Sequence, residues 1–152
     1  MITIRSVMQK DLLQIMQIEW ESFSDPYPLN VFEFLANTKP ELFLVAVETE
    51  MIVGYIIADI EQSQGYYSGH LLSLAVRRRT RREGVGHRLI SNLVDILRKR
   101  RCKEVVLEVR ISNNSARSFY QKQHFREVEQ ILGYYEDGED AIFMKRDLEE
   151  SL

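Results

Sequence analysis

The spacing of apolar residues along the chain alternates between strand and helix patterns. Strands are predicted where apolar residues alternate with polar ones or run on continuously between turn signals. One run, 104–110 (EVVLEVR), has almost no polar face, which is typical of a strand covered on both sides of a sheet. The predicted strands are 2–6, 42–48, 51–60, 68–76, 104–110, about 126–134 and about 140–147.

Four helices are predicted between these strands. The clearest one has its apolar residues between Leu89 and Leu97 on a single helical face. Asp11 is expected to cap the first helix, which ends before the loop Ser24-Asp25-Pro26-Tyr27-Pro28. The other two helices are predicted over 30–37 and about 115–123.

The resulting order of elements is β-α-α-β-β-β-α-β-α-β-β. The strand, helix and strand around residues 70–110 form a crossover unit, which requires two parallel strands within a mixed sheet. No internal repeat, low-complexity tract or linker interrupts the chain. We therefore expect one α/β (α+β) domain over residues 1–152, with helices on the faces of a single sheet.

Composition limits the class of protein. The 152 residues are 45% hydrophobic and 28% charged, which suits one buried core and a solvated surface. No stretch approaches the roughly 20 apolar residues of a membrane span, and the N-terminus lacks a signal-peptide pattern, so we expect a soluble, cytoplasmic protein. The single Cys102 excludes an intramolecular disulfide, and the dispersed His70, His87 and His124 argue against a metal site.

Charge is unevenly placed on this mildly acidic chain, whose net charge is -3. Five of the six residues from Arg77 to Arg82 are arginine, and a second basic cluster covers 98–103. A basic island on an acidic protein indicates a local anionic ligand. A nucleic-acid-binding module is the alternative from a different class, but the acidic total and the lack of aromatic residues among the basic ones argue against it.

Gly84 and Gly86 lie between a predicted strand and a predicted helix, directly after the arginines. Glycine permits a sharp turn that leaves backbone N–H groups uncovered, and a helix N-terminus adds partial positive charge, so the segment suits a phosphate or pyrophosphate. No Lys-Ser/Thr pair follows, as in a nucleotide P-loop, and no third glycine completes a dinucleotide fingerprint. The alternative is a tight turn beside solvated arginines.

The pattern Arg81-x-x-Gly84-x-Gly86 after LLSLAV resembles the acetyl-CoA signature of the GNAT superfamily of N-acetyltransferases. The resemblance continues through LEVRISNNSARSFYQKQHF (107–125) and GYYEDGEDAIFM (133–144). These segments are similar to N-terminal protein acetyltransferases, both of the bacterial RimI type and of the NatA catalytic-subunit type found in archaea and eukaryotes. The resemblance implies a single GNAT domain built on a mixed, mostly antiparallel seven-stranded sheet.

It also implies a reaction: transfer of the acetyl group of acetyl-CoA, the co-substrate, to the N-terminal α-amino group of proteins, by direct attack in a ternary complex and without a metal. Protein N-termini are then the substrates, and a ribosome or an auxiliary subunit is a further partner. A lysine side chain or a small-molecule amine is the alternative acceptor. An inactive partner subunit with the same fold is a third reading, against which the presence of both Glu108 and Tyr120 argues.

Coenzyme-binding residues follow from the same resemblance. The end of the strand before the arginines is expected to present free N–H and C=O groups to the acetyl and pantetheine arm, and the amides from Arg82 to His87 to hold the pyrophosphate. Asn113 can cap the following helix and contact the coenzyme. The arginines 77–79 are interpreted as diffuse attraction for the 3′-phosphate or as a solvated loop. The predicted set is Leu74, Ala75, Val76, Arg81, Arg82, Glu83, Gly84, Val85, Gly86, His87 and Asn113.

Two side chains are candidates for catalysis. Glu108 is the one acid inside the apolar strand VVLEV, on the same face as Val106 and Arg110, and burial among apolar neighbours would suit a general base that acts directly or through a water. The alternative is a structural pair with Arg110 or another arginine. Tyr120 occupies the position at which the family carries the tyrosine that protonates the coenzyme thiolate. The alternative is a core aromatic, a role that Phe119 is expected to fill instead.

Two loops are expected to hold the acceptor peptide. Tyrosine hydroxyls can hydrogen-bond a peptide backbone while their rings form the walls of a pocket. Asp25 occupies the position of a NatA-type glutamate, one methylene shorter, so the preferred first residue and any share of Asp25 in base catalysis stay open. The alternative is aromatics packed on their own loops. The predicted substrate-binding residues are Phe23, Asp25, Tyr27, Tyr134 and Tyr135.

Overall fold

A computed structural model describes residues 1–149, and its helices and strands follow the predicted order. The helices are α1 Leu12–Ser22, α2 Leu29–Thr38, α3 Val85–Lys99 and α4 Asn114–Lys122. The strands are β1 Ile2–Ser6, β2 Phe43–Glu48, β3 Met51–Ser63, β4 Tyr66–Val76, β5 Cys102–Arg110, β6 Arg126–Ile131 and β7 Ala141–Asp147.

The strands form a seven-stranded sheet in the order β1-β2-β3-β4-β5-β7-β6. β4 and β5 are parallel, with His70 paired to Val106, and α3 makes the crossover between them. The pairs β1–β2, β2–β3, β5–β7 and β6–β7 are antiparallel. The predicted mixed, mostly antiparallel sheet and its crossover unit are therefore confirmed.

The described chain divides into two compact units, here called the first unit (Met1–Asp59 with Leu72–Ile96) and the second unit (Ile60–Leu71 with the chain from Leu97 onward). The core of the first unit is aromatic, since Phe32 lies within 6 Å of both Phe43 and Tyr55, measured between ring centroids. The apolar stripe predicted on α3 is buried, with Leu89 and Leu93 at 0% and 1% exposure.

In the second unit, β5 carries the core. Val105, Val106 and Leu107 are consecutive and buried, so both faces of this strand are covered, as its sequence predicted. β7 is paired with β5 along its whole length, from Arg110 opposite Ala141 to Glu104 opposite Asp147. This pairing places Glu108 and Arg110 in the interior part of the sheet, next to the loop that joins β6 and β7.

One expected cap is wrong. Asp11 stands at the start of α1, but its carboxylate makes no capping hydrogen bond to that helix. It accepts instead from the Met8 N–H at 2.8 Å and forms a bidentate pair with the Arg5 guanidinium. A nearby arginine and a preceding turn therefore compete successfully for an acid that the local sequence assigns to the helix.

Candidate active site

The glycine segment of the first unit has the backbone geometry of an anion site. Gly84 has φ +79° and Arg82 has φ +71°, so the chain makes a left-handed turn directly before α3. A Cβ added to Gly84 would meet no atom within 4 Å, which leaves open space over the turn. The first hydrogen bond of α3 runs from the Arg88 N–H to the Gly84 carbonyl, so the amides of Val85 and Gly86 belong to the first turn, where N–H groups have no acceptor within the helix.

Two of the five arginine side chains in 77–82 hold this loop by hydrogen bonds to backbone carbonyls. The Arg77 Nε donates to the Ile52 carbonyl at 2.6 Å, which gives Arg77 a structural role that the solvated-loop interpretation missed. The Arg81 Nε donates to the Val76 carbonyl at 3.0 Å. That carbonyl is therefore not free, contrary to the expectation for the end of β4. Arg82 and Glu83 are exposed on the loop, and His87 is exposed in the first turn of α3.

The end of β4 packs tightly against its neighbours within the first unit. A Cβ on Gly54 would lie 3.1 Å from the Ala75 carbonyl oxygen and 3.2 Å from a Val85 methyl group, so glycine permits this approach. Ala75 is buried, whereas Leu74 and Val76 are partly exposed. The predicted coenzyme-binding residues from Leu74 to His87 thus form one continuous segment of the first unit.

In the second unit, Glu108 does not sit in the purely apolar setting that its sequence suggested. Its Oε1 lies 2.7 Å from the His70 Nε2, and the other imidazole nitrogen, Nδ1, lies 2.7 Å from the Glu61 Oε1. The hydrogen bond to Glu108, followed by that to Glu61, raises the pKa of His70 to about 9 against the opposing effect of burial. His70 is therefore an imidazolium at neutral pH, hydrogen-bonded on both ring nitrogens to acidic side chains.

A structural pair of Glu108 with Arg110 stays a prediction, and Arg110 has acidic partners in the loop that joins β6 and β7. The Arg110 guanidinium bonds Asp137 at 2.9 Å and Glu139 at 2.8 Å. It also lies over the Tyr135 ring, 4.1 Å from the ring centroid. Arg110 therefore anchors the β6–β7 loop, which carries two of the predicted substrate-binding tyrosines.

Tyr134 and Tyr135 are packed edge to face, with ring centroids 5.0 Å apart. Tyr134 is 48% exposed, and the pKa of its hydroxyl is raised by partial burial and by the negative charge of Glu108. The charge of Glu108 therefore acts on an exposed tyrosine of the predicted peptide-binding loop. Tyr135, under Arg110, is the less exposed of the two.

Tyr120 is the buried aromatic of α4, at 9% exposure, and packs between Phe119 and Phe125 with centroids 5.4 Å and 5.5 Å away. The expectation that Phe119 fills the core in its place is wrong, because Phe119 is only partly buried. Burial, with a smaller contribution from Tyr135, raises the pKa of the Tyr120 hydroxyl, so it keeps its proton at neutral pH. Asn113 caps α4 as predicted, since its Oδ1 accepts from the Ala116 N–H at 3.2 Å.

The first predicted acceptor loop, between α1 and α2, belongs to the first unit. Phe23 packs against the core, while Asp25 and Tyr27 are exposed, Tyr27 at 41%. The Tyr27 ring lies 6.1 Å from Phe32, centroid to centroid. The loop thus presents one acid and one aromatic ring at the surface, on an apolar base.

Sequence reasoning missed three polar residues here. His70 lies on the predicted strand 68–76, but the sequence indicates neither its register against β5 nor its acidic partners. Glu61 lies just beyond the predicted strand 51–60, on the part of β3 that extends to Ser63. Glu19, a buried acid on α1 at 1% exposure, gave no signal in its local pattern. Within residues 1–149, no group of three His, Cys, Asp or Glu side chains has an arrangement that could hold a metal ion.

Known proteins resemble this chain over nearly its whole length. An uncharacterized N-acetyltransferase of Methanocaldococcus jannaschii is 38% identical over 93% of this chain and 88% of its own length. The N-alpha-acetyltransferase of Saccharolobus solfataricus is 32% identical over 96% and 93%. The crystal structure of Ard1 from Thermoplasma volcanium superposes with a TM-score of 0.90 at 31% identity, over 98% of this chain and 99% of that one.

These similarities confirm the predicted resemblance to N-terminal protein acetyltransferases and the predicted GNAT fold. The sequence profile of the acetyltransferase (GNAT) family matches residues 12–125, which include the glycine segment, β5 and α4. The chain belongs to the acetyltransferase (GNAT) family.

Proposed function

We propose that this protein transfers the acetyl group of acetyl-CoA to the α-amino group at the N-terminus of proteins. The observation that carries the proposal is the pairing of Glu108 with His70, which holds the Glu108 side chain at a fixed position on β5, where its charge acts on Tyr134, an exposed tyrosine of the predicted peptide-binding loop. The similarity to relatives named N-alpha-acetyltransferase supports the proposal. We further infer that residues 1–152 work as one acetyltransferase domain; residues 150–152 lie outside the described part.

The donor fits the glycine segment of the first unit. A pyrophosphate needs several backbone N–H groups that converge on open space, and the turn at Gly84 before the first turn of α3 supplies both. The buried Ala75 and the partly exposed Leu74 supply backbone groups of β4 to the acetyl arm. Acetyl-CoA contributes the reactive thioester, and the chain binds and orients it.

Glu108 acts on the acceptor amine. An N-terminal ammonium group has a pKa of about 8, so it needs only modest help to lose its proton near neutral pH, whereas a lysine at about 10.4 needs more. Glu108 takes that proton through a water and passes it to solvent, while His70 fixes the carboxylate by a 2.7 Å hydrogen bond. The free amine nitrogen then bonds to the thioester carbonyl carbon as the carbon–sulfur bond breaks, and the nitrogen gives up a second proton to solvent as the amide forms.

Tyr120 acts on the leaving sulfur. Its raised pKa keeps the phenol protonated, and a phenol O–H is a good hydrogen-bond donor to a developing thiolate. Because the same raised pKa makes full proton transfer unfavourable, Tyr120 stabilises the thiolate and solvent supplies the proton of the final thiol. The roles of Glu108, Asn113 and Tyr120 are all proposals of this mechanism.

Protein N-termini are the proposed substrates, with Phe23, Asp25, Tyr27, Tyr134 and Tyr135 as the residues that contact them. Assembly with an auxiliary subunit or a ribosome is the corresponding proposal for partners. Among the described residues, none of the helices combines the length and hydropathy needed to cross a membrane. We propose a cytoplasmic site of action, where nascent chains present free N-termini.

A pair of matched peptides tests the acceptor. One peptide has a free N-terminus and no lysine, and the other has a formylated N-terminus and one internal lysine. With acetyl-CoA, we expect product only from the first peptide. Product only from the second would replace the α-amine by a lysine as the acceptor, and product from neither would reject protein substrates for these sequences.

A further inference from the structure

Glu19 is a buried carboxylate that the proposed reaction does not use. It lies on α1 of the first unit at 1% exposure, where an acid is costly unless hydrogen bonds replace its water. Three donors do so. Its Oε1 accepts from the Tyr55 hydroxyl and, at 2.9 Å, from the Ser73 hydroxyl, and its Oε2 accepts from the backbone N–H of Tyr27 at 3.1 Å.

These hydrogen bonds join three parts of the first unit through one side chain. Tyr55 lies on β3, and Ser73 lies on β4 directly before the predicted coenzyme-binding residues Leu74–Val76. Tyr27 belongs to the predicted acceptor loop between α1 and α2. A single carboxylate therefore connects the loop expected to hold the peptide to the strand expected to hold the acetyl donor.

The burial of Glu19 indicates that it positions the loop and does not contact the substrate itself. Glu19 and Ser73 are buried, whereas Tyr27 is 41% exposed and Asp25 is exposed. The bond to Tyr27 goes to its backbone, so it restrains the path of the loop and does not engage the exposed side chains of Tyr27 and Asp25. Aromatic packing of Tyr27 on Phe32 supports the loop from below.

We propose that Glu19 is a positioning residue that holds the loop 23–28 in register with β4 and thereby determines which N-terminal residues the enzyme accepts. This inference rests on the proposed function. The physical reason is that a carboxylate accepts strong hydrogen bonds. When Glu19 is removed, its buried donors are left unsatisfied.

Glu19→Ala removes all three bonds and is the test variant. We expect the KM for an acceptor peptide to rise roughly tenfold, the scale of one hydrogen bond to a charged group, and discrimination between first residues to fall. We expect kcat to change far less and the Kd for acetyl-CoA to stay unchanged. Glu19→Gln should restore most of the wild-type KM, because its amide oxygen can accept from Tyr27 while its NH2 donates to the two hydroxyl oxygens.

Asp11→Ala is the matched control. Asp11 is an equally buried acid of the same unit, at 2% exposure, and its partners are Arg5 and the Met8 N–H rather than the loop. It should lose stability without a change in peptide KM or in selectivity. A KM increase of the same size in Asp11→Ala would show a general effect of destabilisation and overturn the proposal.

Hydrogen–deuterium exchange gives a readout that does not depend on activity. In Glu19→Ala, the segment 23–28 should exchange faster than in wild type and in Asp11→Ala. If the wild type acetylates no peptide, the proposed function fails while the exchange result still decides whether Glu19 holds the loop. Unchanged exchange and unchanged KM in a folded Glu19→Ala would overturn the inference.

If Glu19→Ala does not fold, Tyr55→Phe takes its place, since it removes one donor and keeps the ring in the core. The same increase in KM and in exchange over 23–28 is expected, at a smaller size. No increase in either would contradict the proposal.

Discussion

At the residue scale, His70 is held between two carboxylates, each 2.7 Å from one of its ring nitrogens. With the Glu108 and Glu61 hydrogen bonds, its pKa is about 9 in the folded protein, against about 6.5 in an unfolded chain. The folded state therefore binds the proton more tightly. The stabilisation from this proton is complete below pH 6.5 and is lost as the pH rises through about 9.

An NMR titration of the wild type should accordingly place the His70 midpoint near pH 9. Glu61→Gln should lower this midpoint, because it removes one of the two acidic partners of the imidazolium and leaves the hydrogen bond to Glu108. The free energy of unfolding should also fall less between pH 6.5 and 9 in His70→Gln than in the wild type. A wild-type midpoint near 6.5 would show that the two carboxylates do not hold His70 as described.

At the same scale, Tyr120→Phe separates the catalytic role of the Tyr120 hydroxyl from the packing of its ring. The ring keeps its contacts with Phe119 and Phe125, so stability and the Kd for acetyl-CoA should change little. We expect kcat to fall roughly 100-fold, the lower range for loss of a general acid or a hydrogen-bond donor to developing charge. Tyr66→Phe, at the start of β4, is the control and should keep full turnover. An unchanged kcat in Tyr120→Phe would show that Tyr120 only packs in the core and has no catalytic role.

At the element scale, the order and type of helices and strands could be predicted because side-chain periodicity is a local property. The stripe Leu89–Leu97 and the doubly covered strand 104–110 are both found as expected. What could not be predicted depends on register between distant segments. The His70–Glu108 bond follows from the pairing of His70 with Val106, and the Arg110 contacts follow from the path of the β6–β7 loop.

Burial is the second reason that parts of the candidate site escaped prediction. The sequence places Phe119 and Tyr120 side by side on α4, and only the rotation of the helix decides that Tyr120 is the buried one. Likewise, nothing in the local pattern of α1 indicates that Glu19 is surrounded by hydroxyl groups from β3 and β4. A polar residue buried for a reason elsewhere in the chain has no local signature.

The N-terminus of α3 gives the prediction that belongs to this scale. Gly84→Ala places a Cβ at φ +79°, which costs about 1 kcal/mol and alters the turn that presents the amides of Val85 and Gly86. The Kd for acetyl-CoA should rise severalfold, measured by calorimetry. Gly65→Ala, at φ +84° in the β3–β4 turn, is the control with the same backbone cost; an equal loss of affinity in both variants would contradict the role of the α3 turn.

At the scale of the whole molecule, the basic segment 77–82 lies on a chain of net charge -3, and two of its arginines hold backbone carbonyls. This arrangement suits a compact anion at one place better than a polyanion along a surface. The same feature separates the enzyme from a nucleic-acid-binding module, whose affinity would come from many exposed phosphate contacts.

Thermal unfolding checks this distinction. Acetyl-CoA at 100 times its Kd should stabilise the folded protein by about 2.7 kcal/mol, which corresponds to a rise in Tm of roughly 5–10 °C for a chain of this length. Duplex DNA at low salt should produce no comparable rise. An unchanged Tm at millimolar acetyl-CoA, together with salt-sensitive DNA binding, would favour the hypothesis of a nucleic-acid-binding module.

Mass spectrometry of a peptide library that varies the first two residues, incubated with acetyl-CoA and the enzyme, tests the function itself. We predict that a restricted set of peptides gains one acetyl group and that fragmentation places it on the α-amine, with the choice of peptide set by the first residue. Acetylation confined to lysine side chains, or no acetylation of any peptide, would contradict the assignment of this protein as an N-terminal acetyltransferase.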